Sequence, residues 1–326
     1  MRHGTGVSLL WRLAELGIVA MTYMHRYWLA SVLGSMWWAG VLAAPANNLT
    51  VVTTAAYPEG PVWAGDRLLF VEYAGPGIAA WKDGQKSIFW NAPDCGASGL
   101  IHFGPDHWLV ACYDWNAIVE LDADGHVLRR IDRDSMGKPF VGPNDFTSDL
   151  NGGVYFTASG VYELAAPITG AVLHLSANGA HPVEVANTIH YSNGLTVSAD
   201  GHELLVAEML AGRILSFPIQ ADGSLGVRSV WARLQDWLPP PSSTDGLNGP
   251  DGIKVDAKGN YYIAENGAGR VLVVDAARKL VRIIVVPTPY VTNIGLGPAG
   301  STTLYITGLF NATRSPYPGA VYRWAE

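Results

Sequence analysis

From Tyr57 to Trp324 the chain alternates short apolar runs with turn signals, and the runs recur. Six of them read as strands rich in β-branched and aromatic residues: Leu68 to Tyr73, Trp108 to Tyr113, Val154 to Ser159, Leu204 to Met209, Tyr261 to Asn266 and Leu304 to Leu309. Their spacing of roughly forty to sixty residues suits a repeat of four strands plus variable loops. A further strand follows in five of the units, as at Ile118 to Leu121, Val172 to Leu175 and Val271 to Val274. Turn triplets such as Ala199-Asp200-Gly201 and Ala257-Lys258-Gly259 lie between the runs, where the glycine supplies the positive φ a hairpin needs. No helix-period stripe of useful length appears within the repeats. The pattern predicts an all-β fold over residues 49–326, a six-bladed β-propeller with four-stranded antiparallel blades. Closing such a ring predicts that Leu49 to Thr54 lies beside Val321 to Trp324.

Residues 1–48 follow a different pattern. Arg26 precedes an apolar run from Tyr27 to Ala44, and Val41-Leu42-Ala43 offers the small residues found just before a signal-peptidase cut. This segment is expected to be a signal peptide or N-terminal export segment, making the protein periplasmic or secreted. The alternative is a membrane anchor formed by residues 27–44 if the segment stays uncleaved.

Composition sharpens this picture in two ways. The 37 glycines and 20 prolines are spread along the chain, as many tight turns require. A net charge of −7 with no Lys/Arg block excludes a nucleic-acid binder, which needs a concentrated basic face, and points to a small-molecule partner. Cys95 and Cys112 are the only cysteines. They pair in an oxidising compartment if the fold brings their Cα atoms within about 7 Å; otherwise one is a buried thiol and the other a loop thiol. The Pro-rich stretch Leu238 to Gly249 is expected to be a loop on the ligand-facing side.

Four polar residues stand out just before the expected innermost strands, each beside a glycine or proline: Glu59, Asn144, Asn193 and Asp251. Singly, each belongs to an ordinary turn pair. Together they hold one register relative to the repeat, so ring closure aims all four at one axial point. Two carboxylates and two amide oxygens form a hard-oxygen donor set for one divalent metal, Ca²⁺ first, with Mg²⁺ or Mn²⁺ as alternatives and Zn²⁺ less natural. Without a cation, Glu59 and Asp251 held close in a desolvated channel would repel. Asp66, Asp145 and Asp256 read as turn or rim residues.

These motifs resemble the family of gluconolactonase, regucalcin (senescence marker protein) and luciferin-regenerating enzyme. The resemblance rests on PEGPVW at Pro58 to Trp63, GPND at Gly142 to Asp145, YSNGL at Tyr191 to Leu195, PDGI at Pro250 to Ile253 and TNIGLG at Thr292 to Gly297. It implies that Glu59, Asn193 and Asp251 bind the metal, that Asn144 binds metal or substrate, and that Asp251 acts as general base. Family members that open sugar lactones often carry arginine or asparagine just ahead of the position of Asn144; here the stretch reads Pro139-Phe140-Val141-Gly142. A lactone or ester less polar than a sugar lactone is therefore expected.

The predicted activity is calcium-dependent opening of a lactone. The metal polarises the carbonyl and Asp251 takes the proton of the attacking water, with Asn144 assisting. Trp63, Trp115, Phe140, His190 and His102 are the expected substrate-binding residues, and Tyr113 is expected to add aromatic lining. No Gly-x-Ser-x-Gly elbow is present. Two alternatives stay open: hydrolysis of an organophosphate or aryl ester on the same metal, and a non-catalytic binding propeller stabilised by calcium.

Overall fold

The computed structural model describes residues 48–239 and 247–326. Residues 1–47, and with them nearly all of the expected export segment, lie outside it. Four four-stranded antiparallel meanders follow in chain order. The first comprises β2 (Pro58–Trp63), β3 (Leu68–Glu72), β4 (Gly77–Lys82) and β5 (Gln85–Asn91). The second runs from β6 (Ala97–Phe103) through β7 (His107–Cys112) and β8 (Ala117–Leu121) to β9 (Val127–Ile131). β10 (Pro143–Ser148) opens the third, which ends at β13 (Val183–Ile189), and β14 (Ser192–Val197) opens the fourth, which ends at β17 (Ser229–Arg233). The remaining strands form one eight-stranded sheet. It holds the meander from β18 (Gly249–Val255) through β19 (Tyr261–Asn266) to β21 (Leu280–Val285), and a second one made of β22 (Tyr290–Leu296), β23 (Leu304–Leu309), β24 (Pro318–Trp324) and β1 (Leu49–Ala56). The two are joined by the single pairing of Asn266 with Tyr290.

The fold is thus an all-β, propeller-like arrangement, as the alternating pattern predicted. β1 pairs antiparallel with β24 from Leu49 opposite Trp324 to Ala56 opposite Pro318. The two ends of the described chain therefore share a sheet, which is the closure expected at Leu49 to Thr54. Helical segments are short 3-10 turns such as Met209–Ala211 and Leu234–Asp236, and no described helix is long and apolar enough to cross a membrane.

Apolar side chains fill the spaces between neighbouring sheets. Leu69 and Val71 pack with Leu100 and Val110, Leu109 and Ile118 with Phe146 and Phe156, and so on round to Val321 and Tyr305, which pack with Leu68 and Phe70. The innermost strands touch in a circuit β2, β6, β10, β14, β18, β22 and back to β2. Close approach requires glycine there: a Cβ on Gly99 would lie 2.2 Å from the Asn144 carbonyl oxygen, and one on Gly194 would lie 2.3 Å from that of Asp251. Gly99→Ala therefore displaces the Asn144 backbone, and its thermal midpoint is expected to fall by several degrees.

Cys95 and Cys112 form a disulfide that ties the loop before β6 to the end of β7 across a separation of 17 residues. Cross-linking a loop of this length restricts the unfolded chain, a contribution of about 3 kcal/mol in the chain-entropy account. Cys112→Ser is expected to lower stability in chemical denaturation by about 2–3 kcal/mol.

Candidate active site

Each inner strand carries a register irregularity near its start: between Glu59 and Val62, Ala97 and Gly99, Pro143 and Phe146, Ser192 and Leu195, Pro250 and Ile253, and Val291 and Asn293. A bulge breaks the alternation of a strand and re-aims the side chains it contains. The four residues singled out in the sequence sit inside these irregular segments, as the second or third residue of the inner strand and not ahead of it. Glu59, Asn144, Asn193 and Asp251 are all buried and all line one cavity of about 390 Å³. Ser98, in the corresponding place on β6, lines it too and donates to the Pro143 carbonyl at 2.9 Å.

The electrostatics of this floor are those of an acid-rich, dry site. Burial pushes the Glu59 carboxyl well above the usual range, and the charges of Asp251 and Asp145 push it further. Burial raises Asp251 as well, against the hydrogen bond from Asn266 Nδ2 to its Oδ2 at 2.9 Å. The Gly60 N–H donates to Glu59 Oε2 at 3.2 Å, and Asn193 Nδ2 donates to Met209 Sδ at 3.2 Å.

Asp145 is no rim residue. It is 2% exposed, and its Oδ2 accepts from Lys254 Nζ at 3.0 Å and Asn293 Nδ2 at 3.3 Å. Asp145 and Lys254 also line a second cavity, of about 400 Å³, bordered by residues further along the same inner strands. When all are ionised, the three carboxylates Glu59, Asp145 and Asp251 with the one ammonium of Lys254 leave two negative charges. The sequence reading left Asp145 among the turn or rim residues, though as the one of them nearest to touching the site, and missed Lys254, Asn266 and Asn293. Their signal was available: Asp145 and Lys254 follow the singled-out residues by one and three positions, and Asn266 ends the same repeated strand that brings Tyr73, Tyr113 and Met209 to the mouth.

Tyrosines make up much of the remaining wall, beside Leu247, Asn248, Leu309, Ala312 and Thr313. Tyr317, Tyr57, Tyr73, Tyr113, Tyr191 and Tyr162 form a continuous belt. Ring centroids are 5.7 Å apart for Tyr317 and Tyr57, 5.0 Å for Tyr57 and Tyr73, 6.1 Å for Tyr73 and Tyr113, and 4.6 Å for Tyr191 and Tyr162. The Tyr191 hydroxyl donates to that of Tyr113 at 3.3 Å and closes the gap between them. Burial raises the Tyr57 and Tyr191 phenols well above their ordinary value, so both stay protonated. Among the described lining residues Glu59 and Asp251 are the only carboxylates, and none is Lys, Arg or His.

The five expected substrate contacts do not line this cavity. Trp63 stacks on Tyr305 at 5.7 Å between sheets, Trp115 packs edge-on to Trp90 beneath Arg130, and Phe140 is buried against Phe156. Phe140 belongs to the core, and Trp63 and Trp115 are half-buried against it, because apolar area is best removed from water between the sheets. His102 is exposed and packs against Trp108, and His190 is half-buried, its backbone N–H donating to Glu208. Of the expected Pro-rich loop, residues 240–246 lie outside the described residues, while its end, Leu247 and Asn248, lines the cavity.

The profile of the SMP-30/Gluconolactonase/LRE-like region matches residues 57–309. The chain belongs to that family. An uncharacterised protein of Sulfolobus acidocaldarius is 31% identical over 279 residues, which is 81% of this chain and 90% of that one. The lactonase drp35 of Staphylococcus aureus is 31% identical over 130 residues, 40% of this chain and 37% of its own. A gluconolactonase from Xanthomonas campestris superposes with a TM-score of 0.70 at 24% identity, covering 85% of this chain and 89% of that one. The calcium-binding regucalcin of Agrobacterium tumefaciens superposes at 0.65 with 19% identity, covering 84% and 92%. Both structural matches are under 25% identical and bear on the fold.

Proposed function

We propose that this family member is an exported, calcium-dependent lactonase built as a six-bladed propeller, the eight-stranded sheet counting as two blades. The observation that carries the reading is the meeting of Glu59, Asn144, Asn193 and Asp251, from four different inner strands, on the floor of one cavity. Their donors are buried hard oxygens without sulfur or imidazole, the chemistry that suits Ca²⁺ and, after it, Mg²⁺ or Mn²⁺. The two uncompensated negative charges of the floor match one divalent ion, and lactone-opening and calcium-binding relatives support the same choice. When bound, the cation supplies Lewis-acid polarisation of the lactone carbonyl.

The chain's own residues do the rest. Asp251, oriented by Asn266, accepts a proton from water as the water oxygen bonds to the carbonyl carbon. The acyl carbon–oxygen bond then breaks, and the proton passes from Asp251 to the departing ring oxygen, leaving a hydroxy acid. Asn144 holds the substrate against the floor, and the tyrosine belt excludes bulk water. The cystine at Cys95 and Cys112 fits an oxidising compartment and so supports export.

Metal analysis of the purified protein, coupled to an indicator screen for acid release from lactones and from a phosphotriester, tests the reading. Lactone opening that survives complete metal removal overturns it; turnover of the phosphotriester alone selects the organophosphate alternative, and tight binding without turnover selects a binding propeller. Calcium affinity is expected to fall on acidification, because protons compete for Glu59 and Asp251. Since both carboxyls are raised, the loss begins at a pH above the ordinary carboxylate range, which calorimetric titration across pH reads directly.

A further inference from the structure

Tyr57 and Tyr191 hold a backbone conformation that nothing in the fold requires of a tyrosine. Each stands two residues before a floor residue, Glu59 and Asn193, and each is left-handed, with φ of 54° and 63°. The corresponding positions before Ser98 and Asn144 are Gly96 and Gly142, at φ 60° and 62°. The equivalence is also one of hydrogen bonding. The carbonyls of Tyr57, Gly96, Gly142 and Tyr191 accept from the N–H groups of Tyr73, Tyr113, Ser159 and Met209, at 2.9, 3.0, 2.7 and 3.1 Å. Glycine fills this place without strain, whereas a bulky side chain with positive φ is an outlier that surrounding structure must enforce. Such strain collects where a side chain has work to do.

The work is visible in where the two rings lie. Both line the cavity over the acid floor, Tyr57 between Tyr317 and Tyr73 and Tyr191 between Tyr113 and Tyr162. The described wall has no cationic side chain to pair with a phosphate or carboxylate. It offers instead a run of flat aromatic faces, which favour an aromatic or apolar group over a shell of sugar hydroxyls.

We propose that Tyr57 and Tyr191 determine specificity by holding an aromatic or apolar substituent of an uncharged lactone against the tyrosine belt. This rests on the lactonase reading and names its substrate class. Tyr57→Gly and Tyr191→Gly in the full, calcium-loaded chain place at each position the residue that two other repeats carry there in the same left-handed conformation. The probes are γ-phenyl-γ-butyrolactone and γ-methyl-γ-butyrolactone, which share the ring and the type of leaving oxygen. Relative to the methyl lactone, kcat/KM for the phenyl lactone is expected to fall about tenfold or more in each variant, mainly through KM. Calcium affinity should be unchanged, which separates the effect from a damaged floor. Tyr191→Phe retains the ring and is expected to keep the preference.

Binding of 2-phenylcyclopentanone against cyclopentanone, measured by calorimetry, gives a readout without turnover. Selective binding that the Gly variants lose, in a protein that opens neither lactone, upholds the aromatic subsite and sinks the lactonase reading. Equal losses on both probes, a preference lost equally in Tyr191→Phe, or no preference in the unaltered protein overturns the proposal.

Discussion

Replacing Asp251 by Asn is expected to lower the proposed lactone turnover by about a thousandfold while leaving the fold in place. The substitution is close to isosteric, and the Asn266 side chain that donates to Asp251 Oδ2 at 2.9 Å finds an amide oxygen in the same position. On the proposed mechanism, what disappears is the group that accepts the water proton and one of the charges that would face the cation. Removing a general base typically costs 10²–10⁴-fold, about 3–5 kcal/mol of barrier, and loss of a ligand adds to it. Calcium affinity should fall in parallel, whereas the thermal midpoint of the metal-free protein should hold or rise, since a buried carboxylate that repels Glu59 has gone. A variant that keeps full kcat at saturating calcium would show that Asp251 is neither base nor essential ligand.

Lys254→Met is expected to act in opposite directions on the metal-free and metal-bound protein. The Lys254 side chain is 23% exposed and that of Asp145 is 3% exposed, so their ion pair is largely out of water. Removing one partner of a buried pair leaves the other charge uncompensated, a loss of roughly 3–5 kcal/mol when burial is complete; with Lys254 partly wet, about 2–3 kcal/mol is expected. The floor meanwhile gains a net negative charge, so the proposed calcium ion is expected to bind more tightly. A tenfold gain in affinity returns about 1.4 kcal/mol at saturating metal. The measurement is the thermal midpoint of both proteins with chelator and with millimolar calcium. The stability gap between them should narrow when calcium is added; a gap unchanged by calcium would show that Lys254 does not share the electrostatics of the site.

The repeat was legible because it is written locally. Strand after strand, the runs from Leu68, Trp108, Val154, Leu204, Tyr261 and Leu304 alternate with turn residues, and the structure has a strand at each. Glu59, Asn144, Asn193 and Asp251 were legible for the same reason: a repeat places equivalent positions together, whatever lies between them. Of the expected aromatics Tyr113 lines the cavity, whereas Trp63, Trp115 and Phe140 do not, because an aromatic looks the same in a list of residues whether it faces a cavity or a neighbouring sheet. Asp145 sits beside Asn144 in GPND, yet the two side chains line different cavities, and nothing in the order of residues says which of the two faces the site.

What the amino-acid order determined by itself is the β repeat and a set of polar positions in common register, because each follows from short-range patterning repeated along the chain; that the first strand closes on the last is a long-range pairing the tertiary structure supplied. Tertiary structure alone decided that Lys254 compensates Asp145 across 109 residues, that Asn266 orients Asp251, and that six tyrosines from separate loops form one wall. These depend on distances between segments far apart in sequence, which packing of the sheets around the axis sets and no local pattern encodes.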